Sequence, residues 1–175
     1  MPTTDEVSRT EPDLVSVLLD AHARGRAILA DALRLLSDGA DDGVTVSIAT
    51  AVQRFVTLTS PHHELEEEQL VFPALRAYGP KDEVDAALRY VVDEHISFDE
   101  LREKLALRWG HVADAPACLG PLRGQLSMMT KLFSRVLGRH AEHEELVIFP
   151  LVRKYVPLAV QIKTLAVISQ RQVVP

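Results

Sequence analysis

Apolar residues recur at helical spacing along almost the whole chain, and polar turn signals interrupt them at a few places. The spacing predicts five helices, at about residues 14–37, 44–78, 82–109, 119–155 and 157–170. The segments DGADDG (38–43), GPKDE (79–83) and GHVADAPACLGP (110–121) are predicted as turns or loops. Four long helices with short connections predict an all-α, antiparallel four-helix bundle with a short fifth, C-terminal helix.

The expected domain organisation follows from these helices. Residues 1–12 are predicted as a flexible tail, 13–156 as the bundle, and 157–175 as the C-terminal helix and tail. The segment VTVSIATAV (44–52) is rich in β-branched residues and would suit a strand by propensity alone. Its apolar spacing continues into the second helical stripe, so we predict that it is helical.

One phrase occurs twice in the chain. The pattern H-x-x-x-E-E-x-x-x-F-P-x-x-R-x-Y-x-P starts at His63 and again at His140, 77 residues later. The repeat extends upstream at the same offset, where Phe55, Val56 and Thr59 correspond to Leu132, Phe133 and Val136. The sequence therefore predicts two helix-pair halves of one design, whose equivalent residues meet at the centre of the bundle.

Six polar residues fall on the apolar stripes of the four long helices, where they would point into the interior. Each helix carries one histidine, and the second and fourth helices also carry a glutamate one turn further on, on the same face. These residues are His22, His63, Glu67, His95, His140 and Glu144. Burying two unpaired carboxylates is costly, and the stripes offer no Lys or Arg at those levels to neutralise them. Bound cations would neutralise them, and two equivalent half-sites favour two metal ions.

A single histidine on an apolar stripe is more often a hydrogen-bonded core residue than a metal ligand. Four histidines on four helices, with two glutamates at ligand spacing, favour a metal site instead. Imidazole and carboxylate together bind iron, manganese or zinc, and a mixed nitrogen and oxygen site in a helix bundle favours iron over the other two.

Composition excludes several other classes of function. The net charge is −6 and aromatic residues make up 5% of the chain, which disfavours nucleic acid as a partner. No apolar run reaches the length of a membrane span, and the first residues do not resemble a signal peptide. A lone cysteine, Cys118, is typical of a reducing compartment, so a cytoplasmic location is expected.

The sequence resembles the hemerythrin-like, or HHE cation-binding, family over roughly residues 22–150. The doubled phrase and the Glu94–His95 pair on the third helix carry the resemblance. It implies a non-haem di-iron centre (Fe²⁺/Fe³⁺) inside a four-helix bundle, with a solvent-derived oxo or hydroxo bridge. The ligands that it implies are His22 and His63 for one iron, His95 and His140 for the other, and Glu67 and Glu144 as bridging carboxylates.

Two positions depart from the pattern of the oxygen-carrying hemerythrins. Those proteins have a second histidine one turn after the helix-three histidine, where this chain has Asp99. They also have an aspartate five residues after the helix-four histidine, where this chain has Glu145, and Glu144 is the better candidate. The phrase from His63 to Glu67 is similar to that of the F-box iron-sensing proteins, where an additional carboxylate ligates. Glu64 is therefore a possible additional ligand, with Asp99 as its competitor.

The resemblance leaves the activity open between two classes. The first is a protein that binds or reacts with O₂, NO or peroxide at the iron pair. The second is an enzyme, either a peroxide-decomposing protein or a di-iron oxygenase or oxidase acting on a small organic substrate. An iron sensor is an alternative within the first class. A centre reached only by small molecules would favour the first class, and a substrate-sized pocket opening onto the iron would favour an oxygenase.

Overall fold

The computed structural model describes residues 13–172, and the predicted N-terminal tail lies outside them. The described part contains five helices and no strand, which confirms the predicted all-α class, including the helical state of 44–52. The first, third and fifth helices are α1 (Leu14–Asp38), α3 (Lys81–Asp114) and α5 (Leu158–Gln172). Among these residues, no helix is both long enough and apolar enough to cross a membrane.

Two long helical rods switch between α-helical and π-helical geometry along their length. The rod α2 (42–78) consists of Asp42–Arg54, Phe55–Thr59, Ser60–Glu66, Glu67–Val71 and Phe72–Tyr78. The rod α4 (119–155) consists of Leu119–His143, Glu144–Ile148 and Phe149–Tyr155. The segments Phe55–Thr59, Glu67–Val71 and Glu144–Ile148 are π-helical turns, and the others are α-helical.

Each of these π turns is followed directly by a short α segment with proline at its second position, namely Pro61, Pro73 and Pro150. A proline ring in a helix clashes with the carbonyl four residues earlier and lacks the N–H that would bond to it. In all three cases that carbonyl lies inside the preceding π turn. The wide turns therefore let the rods continue through their prolines.

Short connections set the order of the helices. The joints at 39–41, 79–80 and 115–118 make successive helices antiparallel, and α4 packs back on α1 to close the bundle. Gly39 ends α1 with φ at 75°, a conformation that glycine adopts without steric cost. The carboxylate of Asp13 accepts a hydrogen bond from the N–H of Ser16 in the first turn of α1. The carboxylate of Asp41 accepts one from the N–H of Val44 in the first turn of α2.

Three predictions about individual positions were wrong. Helix α3 continues to Asp114, so the first part of the predicted 110–121 loop is helical, and Val112 is buried there. Thr59 and Leu132, which the repeat placed on inward faces, are exposed, whereas Ser60 and Phe133 are buried. The π turn at Phe55–Thr59 adds a residue that α4 lacks at the equivalent level, so the register of the two halves differs there.

The apolar core is divided into two clusters. One cluster centres on Phe72, Leu88 and Phe149, and the other on Leu29, Trp109 and Phe133. The inward-facing histidines and glutamates belong to neither cluster and pack at their margins. The bundle thus encloses a polar layer between two apolar cores.

Candidate metal centre

The six predicted side chains lie together in the polar layer between the two cores. Four helices supply them: α1 gives His22, α3 gives His95, and the doubled phrase on α2 and α4 gives a His–Glu pair each. Glu67 and Glu144 are 0% exposed. Each of these glutamates is the first residue of a π turn, a helical irregularity that is frequent at functional sites.

The first half of the layer joins α1 and α2. Nε2 of His22 lies 3.2 Å from Oε2 of Glu144, and Nε2 of His63 lies 3.3 Å from Oε1 of Glu67. The two imidazole rings meet edge to face, with centroids 5.0 Å apart. One ligand atom from each of these four residues falls within 4.8 Å of the others, as a shared metal ion requires.

The second half of the layer joins α3 and α4 and uses the same two carboxylates. Nε2 of His95 is 3.8 Å from Oε2 of Glu67, and Nε2 of His140 is 3.3 Å from Oε2 of Glu144. The two Nε2 atoms lie 3.1 Å from each other. These four residues form a second group within 4.8 Å, so Glu67 and Glu144 belong to both groups.

Three of the four histidines donate a hydrogen bond from Nδ1 to a carboxylate on another helix. His22 bonds to Glu145 at 3.0 Å, His95 to Glu68 at 2.7 Å, and His140 to Glu94 at 3.0 Å. A carboxylate accepts only from a protonated nitrogen, so Nδ1 carries the proton and the neutral ring leaves Nε2 as a bare lone pair. The same arrangement orients metal-bound imidazoles in many proteins.

The sequence could not choose among the acidic residues near the ligands. The structure selects Glu68 and Glu145 from the doubled phrase, while Glu94 comes from the Glu94–His95 pair on α3.

The centre of the layer lacks hydrogen-bond donors. Nε2 of His22 and of His63 and all four oxygens of Glu67 and Glu144 are buried without a hydrogen-bond partner. These atoms carry lone pairs and face one another, an arrangement that is repulsive unless protons or cations lie between them. Imidazole nitrogens and carboxylate oxygens are the ligands that iron, manganese and zinc accept, so the donor set fits such ions.

Burial controls the protonation of these groups. Burial raises the pKa of Glu67 well above its usual value, and the negative charge of Glu144 raises it further. Burial also opposes ionisation of Glu144, but the nearby imidazoles of His22, His140 and His63 lower its pKa overall. Burial and the nearby imidazoles lower the pKa of His63 to about 3. The His63 imidazole therefore stays neutral and available to bind metal at physiological pH.

Neither Glu64 nor Asp99, the two possible additional ligands, lies in either group of four. Both carboxylates bond instead to Arg102, a buried residue of α3. The expectation that no Lys or Arg neutralises Glu67 and Glu144 holds, but a buried arginine beside the layer was not expected. Position 102 falls between Phe98 and Leu105 on the buried stripe of α3, and that spacing could have identified it.

The remaining histidines of the doubled phrase point away from the layer. His62 pairs with Glu66 on its own helix at 3.0 Å. The Nε2–H of His143 donates to the carbonyl of Ala87 at 3.3 Å, and its ring packs on Tyr90. Neither histidine belongs to the two groups of four.

A small cavity of about 40 Å³ adjoins the first half of the layer, between α1, α2 and α4. His22 and His63 form part of its wall, and the rest is mainly apolar. Gly25 lies at this wall, where an added Cβ would meet the ring of Phe55 at 2.8 Å. The glycine thus permits the close approach of Phe55 to α1 beside the cavity.

Comparison with known proteins agrees with this geometry. No curated protein and no solved structure matches the chain. The family model described as the hemerythrin HHE cation binding domain matches residues 13–156. Because the match covers most of the chain and includes all six residues of the polar layer, the protein belongs to the hemerythrin HHE cation-binding family.

Proposed function

We propose that the protein is a non-haem di-iron protein that binds or reacts with O₂, NO or peroxide. The observation that carries the proposal is the set of buried, unpartnered lone-pair atoms in the centre of the bundle. In this proposal His22 and His63 hold one iron and His95 and His140 the other. Glu67 and Glu144 are shared between the two ions, because each belongs to both groups of four.

The iron pair would supply electron exchange with the small ligand, and the protein supplies the surroundings. Three carboxylates each accept a hydrogen bond from Nδ1 of a histidine, namely those of Glu145, Glu68 and Glu94. The proton therefore stays on Nδ1, and Nε2 keeps its lone pair and points into the layer. Hydrogen bonding of this kind also makes an imidazole a stronger donor to metal. Iron is chosen over manganese and zinc on the chemistry of the mixed donor set and on family membership.

Aromatic rings shield the layer from water. Phe149 stacks on His22 with centroids 5.4 Å apart, and Phe98 meets His140 edge to face at 5.1 Å. Both phenylalanine rings are buried in the apolar cores. These rings limit the access of water to His22 and His140, and charges inside the layer interact more strongly than they would in solvent.

The size of the cavity favours a diatomic ligand or peroxide over an organic substrate. Its volume of about 40 Å³ has room for one or two water-sized molecules. A drug-sized organic ligand needs a pocket of about 300 Å³ or more. A larger groove of about 270 Å³ lies on the surface of α2 and α3 and reaches one side of His95. That groove favours the oxygenase alternative.

Anaerobic iron loading tests the proposal. The metal-free protein is loaded with Fe²⁺, its iron content is measured, and optical spectra are recorded with O₂, NO and peroxide in turn. We expect two irons per chain and a spectral change with at least one of the three ligands. A stable, reversible O₂ adduct indicates a carrier or sensor, and rapid peroxide turnover indicates an enzyme. His143→Ala is the control, because that ring points away from the layer, and it should load like the wild type.

Failure of the wild-type chain to bind two irons would refute the proposal. Equal iron content in Glu144→Ala, Glu67→Ala and His143→Ala would refute the ligand assignment.

A further inference from the structure

Arg102 is a buried cation beside the second half of the polar layer. Its side chain is 5% exposed and reaches from α3 across to α2. Nη1 donates to Oε1 of Glu64, and Nη2 donates to Oδ1 of Asp99 at 2.5 Å. Nη2 also lies 3.4 Å from the backbone carbonyl of His95, to which it donates. The guanidinium is thus in direct contact with a residue of the proposed centre.

The two carboxylates bound to Arg102 differ in their access to solvent. Glu64 is 7% exposed, and its Oε1 also accepts a hydrogen bond from the Ser60 hydroxyl at 3.1 Å. The side chain of Asp99 is 70% exposed, so water screens its charge. A buried carboxylate without its partner would be strongly destabilising, whereas an exposed ion pair contributes little. Glu64 is therefore the partner that needs the positive charge of Arg102.

The pairing fixes the net charge at the centre of the bundle. The charges of Arg102 and Glu64 cancel, and the neutral imidazoles add none. The negative charges of Glu67 and Glu144 remain to balance the metal ions. Without the guanidinium, Glu64 would add a third buried negative charge next in sequence to His63.

We propose that Arg102 sets the net charge of the metal centre by neutralising Glu64, and thereby tunes its cation affinity and its redox potential. The inference rests on the proposed metal centre and gives a positioning role to a residue that does not touch the metal. An additional buried negative charge stabilises a more positive metal pair. Loss of the guanidinium should therefore tighten cation binding and make the potential more negative, and loss of the Glu64 charge should do the reverse.

Cobalt binding tests the proposal without any catalytic assay. The affinity of the metal-free protein for Co²⁺ is measured by optical competition with a chelator at pH 8. Each single variant changes one charge near the site. Arg102→Met should bind Co²⁺ roughly tenfold more tightly than the wild type, and Glu64→Gln should bind it roughly tenfold more weakly. The double variant should return to within about threefold of the wild type, because the two changes cancel.

Asp99→Asn is the matched control, since it removes a carboxylate bound to the same guanidinium but exposed to solvent. Its cobalt affinity should stay within about twofold of the wild type. In the iron-loaded proteins the midpoint potential should be more negative for Arg102→Met and more positive for Glu64→Gln. If the salt bridge were only structural, these variants would differ from the wild type in their urea unfolding midpoint but not in the midpoint potential of the iron centre.

Equal cobalt affinities for the wild type, Glu64→Gln and Asp99→Asn would overturn the proposal, as would a double variant that resembles either single variant. If Arg102→Met does not fold, Glu64→Gln still tests whether loss of a negative charge weakens cobalt binding. The Glu64→Gln variant should fold, because Arg102 keeps Asp99 as a partner. Failure of the wild type to bind two cobalt ions would instead refute the metal centre itself. The two failures are therefore distinguishable.

Discussion

Replacing Glu67 by glutamine should stabilise the metal-free protein while it damages the metal centre. Glu67 is fully buried, and neither of its oxygens has a hydrogen-bond partner. Its polar neighbours include Nε2 of His63 at 3.3 Å and Nε2 of His95 at 3.8 Å. Without metal, the carboxylate is a buried charge among lone pairs, and glutamine offers an uncharged N–H₂ donor to the same neighbours.

The sign of the effect follows from the raised pKa of Glu67. Burial, with the charge of Glu144 adding to it, raises that pKa above the value in the unfolded chain. At pH 7 ionisation of this group therefore costs stability, which is regained as the pH falls. Removing the charge and forming about one hydrogen bond should stabilise the metal-free protein by roughly 1–3 kcal/mol. At about 2–4 °C per kcal/mol for a chain of this size, Tm should rise by roughly 5 °C.

Urea and thermal unfolding with and without a chelator, combined with metal analysis, measure both effects. The metal-loaded wild type should be more stable than its metal-free form, and Glu67→Gln should lose most of that gain because it no longer binds two ions. Glu66→Gln is the control, because Glu66 is also buried but belongs to neither group of ligands. A metal-free Glu67→Gln variant no more stable than the wild type would contradict the electrostatic reasoning.

Three further predictions concern the surroundings of the ligands. Glu68→Gln should weaken metal affinity about 10–100-fold with little effect on folding, because it removes the carboxylate that accepts from His95; unchanged affinity in a chelator competition would contradict this. Gly25→Ala should keep the metal content but slow ligand association in stopped-flow spectroscopy, because the new methyl group displaces the ring of Phe55 toward the cavity; an unchanged rate would show that ligands enter elsewhere. Metal occupancy should decrease as the pH drops below about 5–6, because Glu67, with its raised pKa, takes up a proton before His63 does; full retention of iron at pH 4 after dialysis would refute this.

The fold was predictable because helical spacing is a local property. Side chains three or four residues apart share a helix face, so the apolar stripes located the helices and placed six polar residues on inward faces. The exact repeat of the phrase at His63 and His140 added the two-fold design. The resemblance to the hemerythrin HHE family, made on those residues, is confirmed by the family match.

The errors occurred where a local rule met a non-local cause. Thr59 is exposed because a π turn in α2 adds one residue, and periodicity with a constant 3.6 residues per turn cannot register such an insertion. Leu132 is exposed although α4 is α-helical there. The end of α3 was predicted too early, because the glycine at 110 suggested a helix stop. In the structure Gly110 lies within the helix, close to the side chain of Gln53.

The sequence by itself determined which residue types face the interior of the bundle, and therefore that four imidazoles and two carboxylates would point inward. Tertiary structure alone decided which acidic residue on a neighbouring helix supports His22, His95 and His140, and that Glu64 pairs with Arg102 and lies outside the two groups of four. The physical reason is that periodicity fixes the direction of a side chain about its own helix axis. Contacts between helices depend also on their relative rotation and height, which arise only when the cores pack.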